Sequence, residues 1–82
     1  MKLSKTQVAM LRRLDGGDVI ILMKGMNAYY FWRNAPLRPN PRSDSVYKLF
    51  IEGMITTKPG SEDWRGADYI ITDKGREYLE EL

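Results

Sequence analysis

The fold of this chain is decided by residues 43–82, which read SDSVYKLFIEGMITTKPGSEDWRGADYIITDKGREYLEEL. Ser43 or Asp44 can cap a helix, because a side-chain oxygen at the N-cap accepts hydrogen bonds from the free amides of the first turn. Three apolar side chains then follow at the i, i+3, i+4 spacing of one helix face: Val46, Leu49 and Phe50. Gly53 stands where a helix often ends in a left-handed residue. These signals predict a helix over residues 43–52.

The remainder of this stretch predicts two strands and a last helix. Residues 55–58 contain two β-branched threonines and indicate a short strand, and residues 68–71 indicate its return strand. Between them, PGSEDWRGA (residues 59–67) is polar and rich in turn formers, and we expect it to form a wing, a loop joining the two strands. Thr72 is placed to cap the last helix. The inward side of that helix is expected to comprise Tyr78, Leu79 and Leu82.

The first helix carries a clear start signal. Four residues have the spacing of a capping box and a hydrophobic staple: Leu3, Ser4, Gln7 and Val8. We expect the helix to begin at Lys5 and to stop at the Asp-Gly-Gly run of residues 15–17. Its core stripe would be Val8, Leu11 and Leu14, flanked by Met10. Arg12 and Arg13 are expected to point outward, where the last turn favours positive charge.

The middle of the chain predicts a β-hairpin. Residues 19–23 and 28–32 are apolar runs rich in β-branched and aromatic side chains, separated by a short turn. A remnant helix over residues 27–34 is the alternative to the second strand. Both strands are apolar on both faces, so something should cover the face turned away from the core: the loop 34–42 or a second copy of the chain. Three prolines in that loop exclude a regular helix before Ser43: Pro36, Pro39 and Pro41.

Two motifs resemble a known family. DYIITDKGREYLEEL (residues 68–82) is similar to the tyrosine, hydrophobic, Leu/Ile-Thr-x-x-Gly-Arg-x-x-Leu ending of small winged helix-turn-helix transcription regulators. SVYKLFIEGMIT (residues 45–56) resembles their recognition helix and the step into the first wing strand. The resemblance implies one winged-helix-like α+β domain over residues 1–82, ordered as helix, β-hairpin, recognition helix, two-stranded wing and C-terminal helix. The chain departs from the family in having no clear second helix, the one that normally braces the recognition helix on DNA.

If the domain binds double-stranded DNA as a transcription regulator, the helix over 43–52 and the wing over 58–68 should make the contacts. The candidate residues are the polar side of that helix and the basic residues before it and in the wing: Arg38, Arg42, Ser43, Ser45, Tyr47, Lys48, Lys58 and Arg65. Glu62 and Asp63 make the wing tip locally acidic, which opposes phosphate binding. Trp64 is expected to fold back onto the strands.

The alternative is a non-enzymatic protein-interaction or self-association module on the same frame, using the hairpin 19–32. Its interface residues would be Tyr29, Tyr30, Phe31 and Trp32. The same rings could also stack against single-stranded nucleic acid. A continuous basic face across helix and wing would favour DNA, whereas exposed hairpin aromatics and neutralised basic residues would favour a protein partner or a homodimer.

Composition excludes several other classes. The chain has 82 residues, a net charge of +2, and neither cysteine nor histidine, so disulfides, thiolate metal sites and the usual zinc ligands are absent. It contains neither the GxGxxG nor the Walker pattern. We therefore expect no enzymatic activity, no cofactor and no metal. The longest apolar run, residues 19–23, is far shorter than the ~20 residues of a membrane span, and we expect a cytoplasmic protein without membrane contact.

Overall fold

A computed structural model describes residues 2–26, 28–34 and 40–82. Its elements in chain order are α1 (Lys5–Asp15), β1 (Ile20–Met23), β2 (Tyr29–Trp32), α2 (Ser43–Ile51), β3 (Ile55–Thr57), β4 (Gly66–Ile71) and α3 (Asp73–Glu80). Within these residues they form an α+β domain of three helices and one four-stranded antiparallel sheet. The predicted class and order of elements are confirmed. β2 is a strand and not a remnant helix, and β4 begins two residues earlier than expected.

The sheet joins the hairpin to the strands that flank the wing. Its strand order is β2-β1-β4-β3, and every neighbouring pair is antiparallel. Ile20 lies opposite Trp32 of β2 on one side and opposite Tyr69 of β4 on the other. β1 and β4 are therefore central strands, and β2 and β3 are the two edges.

The core lies between the helices and one face of this sheet, which we call the inner face. The helices, the sheet and the segments between them all contribute buried apolar residues to this core. They are Leu3, Met10, Leu11, Leu14, Ile20, Trp32, Val46, Leu49, Met54, Ile55, Ala67, Tyr69 and Ile71. The alternate strand residues point the other way and form the outer face: Ile21, Met23, Tyr29, Phe31, Thr56, Asp68 and Ile70. None of them belongs to the buried core.

α1 forms as its start signal predicts. The Ser4 hydroxyl accepts a hydrogen bond from the Gln7 amide at 3.1 Å, and the Gln7 side chain accepts one from the Ser4 amide at 2.9 Å. Leu11 and Leu14 are buried as expected, whereas Val8 is only partly buried and Met10 lies fully in the core. The helix ends at Asp15, in the predicted Asp-Gly-Gly run.

Arg13 departs from the expectation that it points into solvent. Its Nε donates to the Asp18 carboxylate at 2.6 Å, and its guanidinium lies 4.4 Å from the centroid of the Trp32 ring. The sequence pattern predicted only that the last turn of the helix favours the positive charge of Arg13. The pattern could not predict the contact with Asp18, because Asp18 lies beyond the glycines that end α1 and is brought back to Arg13 by the turn at residues 16–17. Arg12 is exposed as expected.

α2 differs from its prediction at both caps and on one face. The N-cap residue is Arg42, without a side-chain capping hydrogen bond, so Ser43 and Asp44 are not caps. The Asp44 carboxylate instead accepts from the Ser45 amide at 2.9 Å inside the first turn. Phe50 is half-exposed, although Val46 and Leu49 on the same face are buried. The helix ends at Ile51, and the residue that turns the chain with a positive φ of 78° is Gly53, as predicted.

The start of α3 shows why its motif contains a glycine. The Thr72 hydroxyl accepts from the Gly75 amide at 3.1 Å, which confirms the predicted cap, and donates to the Gly53 carbonyl at 2.6 Å. A Cβ on Gly75 would lie 2.5 Å from the Met54 carbonyl oxygen and 2.7 Å from Cγ1 of Ile71. The helix can therefore approach β3 and β4 this closely only with glycine at that position.

The end of α3 packs less completely than predicted. Tyr78 and Leu79 are partly buried against the core, and the Tyr78 hydroxyl accepts a hydrogen bond from the Leu3 amide at 2.9 Å. Leu82 is exposed, so its predicted inward position is wrong; it lies beyond the last helical residue, where the helical spacing no longer determines its direction. No helix of the described chain combines the length and the apolar character that crossing a membrane requires.

Candidate functional site

The residues predicted to contact DNA lie on α2 and in the loop between β3 and β4, except that Arg38 falls outside the described residues. Arg42, Ser43, Tyr47 and Lys48 are exposed, and Ser45 is partly exposed. The structure therefore places the α2 candidates on an accessible part of the helix. The two basic candidates among them, however, are each paired with an acidic residue.

Each basic residue of α2 lies beside an acid. Nε of Arg42 is 3.3 Å from Oδ1 of Asp44, and Nζ of Lys48 is 3.5 Å from Oε1 of Glu52, one turn further along the helix. Ion pairs as exposed as these contribute only ~0 to 1 kcal/mol to stability. They nevertheless show that positive and negative charge alternate along this helix.

The loop over residues 58–65, which we call the wing loop, is held by its own acid. The Asp63 carboxylate accepts from the amides of Arg65 at 2.8 Å and Gly66 at 3.1 Å, and it lies 3.4 Å from the Arg65 guanidinium. The hydrogen bond from the Arg65 amide is the main reason that the pKa of Asp63 is lowered from its ordinary value. The Ser61 hydroxyl donates to the Lys58 carbonyl at 2.6 Å and accepts from the Asp68 amide at 3.2 Å. Asp63 therefore organises the loop.

Trp64 at the tip of the wing loop does not fold back onto the strands as expected. Its side chain is 84% exposed. The Arg65 guanidinium lies 5.6 Å from its ring centroid.

Charge on the helix and wing surface nearly cancels. The basic residues of α2, its N-cap and the wing loop are Arg42, Lys48, Lys58 and Arg65, and the acidic residues are Asp44, Glu52, Glu62 and Asp63. Lys24 adds one positive charge beside the wing loop, where its Nζ donates to the Asp63 carbonyl at 3.3 Å. This part of the described chain does not form the continuous basic face that long-range attraction to a phosphate backbone requires.

α2 also exposes apolar side chains at helical spacing. Tyr47, Phe50 and Ile51 are 63%, 43% and 56% exposed and follow one another at i, i+3 and i+4. The ring of Phe50 meets that of Tyr69 edge-on, with centroids 5.8 Å apart. A helix that reads a DNA groove presents polar side chains to base edges. The exposed side of α2 is therefore more apolar than a DNA-reading helix would be.

The four aromatic residues of β2 divide between the two faces of the sheet. Trp32 is buried on the inner face, and Tyr30 is partly buried there with its ring 6.0 Å from that of Tyr69. Tyr29 is 48% exposed on the outer face, and Phe31 beside it is partly exposed, with ring centroids 5.8 Å apart. Only Tyr29 and Phe31 of the four predicted interface residues therefore share an accessible surface.

The outer face extends this surface across the neighbouring strands. Its apolar members, which we call the outer strip, are Ile21, Met23, Tyr29, Phe31 and Ile70. The alternation within β1 could have identified Ile21 and Met23, but Ile70 could be added only once the pairing of β1 with β4 was known. On the same face Asp68 lies opposite Ile21 and forms an ion pair with Arg33 at 2.5 Å, and a groove of about 260 Å³ lies beside the strip beneath the wing loop.

In the described chain no helix packs on the outer strip, and Met23 and Tyr29 are its exposed members; most of the loop expected to cover it, residues 34–42, lies outside the described residues. The structure brings together four features at this surface: paired rings, three further apolar side chains, a neutralised ion pair and an edge strand. A comparison with protein-family models, with curated proteins and with solved structures finds no significant match for this chain.

Proposed function

We propose that this protein is a non-enzymatic self-association module on a winged-helix-like frame, and that it joins a second copy of the same chain through the β2 end of the outer strip, where Tyr29 and Phe31 lie. The single observation that carries the proposal is an apolar outer face with the exposed ring of Tyr29 beside the partly exposed ring of Phe31, in a domain whose α2 and wing-loop charges cancel. Contiguous exposed apolar surface of this kind marks interaction sites.

The winged-helix-like frame is supported by connectivity. α2 leads directly into β3, the wing loop joins β3 to β4, and β4 pairs with both β3 and β1. β2 takes the place in the chain where the resembling regulators have their second helix. Because that helix normally braces the recognition helix on the DNA backbone, its replacement by a strand weakens the case for groove docking.

A second copy is the occupant that the charges of this surface fit best. The charged side chains that lie among and beside the outer strip, Asp68 and Arg33, form an ion pair and neutralise each other. An acidic or basic partner would therefore find no complementary charge. In a two-fold interface the same patch contributes both sides, so apolar side chains meet apolar side chains and aromatic rings lie at its centre.

The proposal is tested by measuring mass with light scattering after size exclusion, over a range of protein concentrations. We expect a dimer that dissociates on dilution. Tyr29→Glu places a charge in the outer strip and should give a monomer whose melting temperature equals that of the wild type at concentrations where the wild type is monomeric. Ile51→Glu, a matched change on the exposed side of α2, should leave the dimer intact. A monomeric mass up to about 1 mM would mean that association is weaker than about 4 kcal/mol, and it would overturn the proposal.

DNA binding is the second candidate function, and it is favoured by one observation: Arg42, Ser43, Tyr47 and Lys48 are accessible together at α2, immediately before the wing loop. These side chains suit phosphate and groove contacts.

Fluorescence anisotropy of labelled random duplex DNA, at low and at moderate salt, tests this candidate. Binding should weaken with salt with a log-log slope of about −0.9 per neutralised phosphate. Arg42→Ala and Lys48→Ala should each reduce affinity and leave the melting temperature unchanged. Equal affinity for wild type and both variants would remove α2 from consideration as a DNA-binding helix.

A further inference from the structure

Among the described residues no strand pairs with the outer edge of β2, and the pairing with β1 shows which of its backbone groups point toward that edge. The Arg33 amide donates to the Val19 carbonyl at 3.0 Å, in register with the pairing of Ile20 and Trp32. Hydrogen-bonded pairs alternate along an antiparallel ladder, so Phe31 and Tyr29 exchange hydrogen bonds with β1. The amides and carbonyls of Tyr30 and Trp32 consequently point away from β1, toward the open edge of the sheet.

This edge lacks the features that usually protect a strand from pairing with another chain. Residues 28–32 read AYYFW, without charge, proline or glycine. The opposite edge, β3, has only three residues and is followed at once by Lys58 and Pro59. Short edge strands, lysine and proline all discourage edge-to-edge pairing. The two edges of the sheet therefore differ, and β2 is the one suited to extension.

We propose that two copies of the chain pair through β2 in an antiparallel, two-fold arrangement with Phe31 opposite the Phe31 of the second copy. The two four-stranded sheets then form one continuous sheet of eight strands. This inference rests on the proposed self-association and specifies its geometry: backbone pairing at the β2 edge joins the copies, and Tyr29 and Phe31 are the members of the outer strip that meet their counterparts at the junction.

The register follows from the faces of the strand and from its free groups. Only registers that keep odd-numbered residues opposite odd-numbered ones place both outer strips on the same side of the joined sheet. With Phe31 on the two-fold axis, Tyr30 of each copy exchanges hydrogen bonds with Trp32 of the other, and only strand residues are used. A register centred on Tyr30 would instead require Ala28, which precedes the strand.

The charges at the junction are compatible with this register. Arg33 of one copy lies opposite Tyr29 of the other, and its guanidinium reaches away from the junction, across β1 to Asp68 on β4. Asp68 already balances that guanidinium, so no unpaired charge is buried at the junction. No two like charges lie directly opposite each other.

Hydrogen exchange measured by NMR tests the backbone pairing. In the dimer, the amides of Tyr30 and Trp32 should be protected and should become unprotected on dilution to the monomer. The Phe31 amide, bonded to β1, should be protected in both states. The Thr57 amide points away from β4 at the other edge and should exchange quickly in both. Protection of Tyr30 and Trp32 that persists in the monomer would overturn the inference.

The register is tested in a mixture of isotope-labelled and unlabelled protein. Facing residues of a non-hydrogen-bonded antiparallel pair have close Hα atoms, so a filtered spectrum should show a contact between the Phe31 Hα atoms of the two copies. A contact between Tyr29 and Phe31 Hα atoms would overturn this register.

Charge substitution gives an independent test. Phe31→Lys and Phe31→Asp should each be monomeric, and an equimolar mixture of the two should dimerise, because position 31 faces itself only in this arrangement. No dimer in a mixture of folded variants would contradict the register.

The outcomes separate the two proposals. A wild-type monomer at all concentrations refutes self-association and the edge pairing together. A dimer whose Tyr30 and Trp32 amides exchange as fast as that of Thr57 leaves self-association standing and overturns the edge pairing, since the copies would then meet only through side chains.

Discussion

Asp18 shows at the scale of a single residue how the ends of three elements are joined. Its carboxylate accepts from the Arg13 side chain at the end of α1, from the Val19 amide before β1 and from the Asn34 amide after β2. Burial raises the pKa of this carboxyl, but the hydrogen bonds from Arg13, Val19 and Asn34 outweigh burial and hold the pKa below its ordinary value. The ionised form is therefore the one that stabilises the fold.

Replacing Asp18 should destabilise the protein in a pH-dependent way. Asp18→Ala leaves two amides and a guanidinium without their acceptor, and we expect a loss of ~1 to 3 kcal/mol at pH 7. Because the folded pKa is lowered, the contribution is complete above the unfolded value of about 4 and disappears as pH falls through the folded pKa.

Urea denaturation at pH 7 and at pH 3 measures this effect. The difference between wild type and variant should be smaller at pH 3 than at pH 7, because the contribution decreases once the pH is below the unfolded pKa. Asp15→Ala, at an exposed carboxylate on the same turn, is the matched control and should change stability little. An equal loss at both pH values would show that the charge of Asp18 is not what stabilises the fold.

Gly75 gives a second prediction at this scale. Gly75→Ala would place a Cβ 2.5 Å from the Met54 carbonyl oxygen, which is backbone and cannot rotate away. We expect a loss of ~1 to 3 kcal/mol, as in other overpacked sites, seen as a lower melting temperature. Gly16→Ala is the control, because its Cβ would lie 3.4 Å from its nearest neighbour and its φ of −78° suits alanine. Similar melting temperatures for both variants would show that α3 can move away from β3 without loss.

At the scale of elements, helix starts were predicted well where a capping residue directly follows an apolar core residue. Ser4 follows Leu3 and Thr72 follows Ile71, and both are caps. Before α2 the polar run begins after Pro41 without such a step, so the spacing could not distinguish Arg42 from Ser43 or Asp44. Apolar residues cover much of the circumference of α2, so the sequence is compatible with more than one orientation of the helix against the core. The sequence predicts Phe50 in the core, whereas the structure shows it half-exposed.

Truncation of α2 tests which side of the helix packs. Leu49 is fully buried, and Leu49→Ala should reduce the free energy of unfolding by ~2 to 5 kcal/mol. Ile51→Ala, two residues further on and exposed, should change it by less than about 0.5 kcal/mol. Chemical denaturation of both variants measures the difference. A larger loss for Ile51→Ala than for Leu49→Ala would show that the side of α2 with Ile51, and not the side with Leu49, packs against the core.

At the scale of the whole molecule, the sheet was the part that the sequence could not predict. The hairpin and the wing strands were each predicted from local signals. Ile20 and Tyr69, however, are far apart in the chain and no local pattern pairs them. The candidate site could not be predicted for the same reason, because the outer strip exists only when β1 pairs with β4. The basic residues of α2 and the wing loop could be listed from the sequence, but the acidic residues that pair with them were found only in the structure.

Self-association predicts a dependence of thermal stability on protein concentration. If only folded monomers form the dimer, dimerisation draws the folding equilibrium toward the folded state. The melting temperature should therefore rise with protein concentration. Tyr29→Glu should remove this dependence. Calorimetric scans at several concentrations measure it, and a constant melting temperature for the wild type would count against a folded dimer.

The hydrogen bond from the Leu3 amide to the Tyr78 hydroxyl has a consequence for how the chain can be rearranged. It holds the beginning of α1 against α3, and Leu3 and Leu82 line the same surface groove. A short glycine-serine linker could therefore join residue 82 to residue 2, with new ends opened at the exposed hairpin turn between Gly25 and Met26. Such a circular permutant should fold with the same core, because the order of α1 and α3 in the chain is not what brings them together.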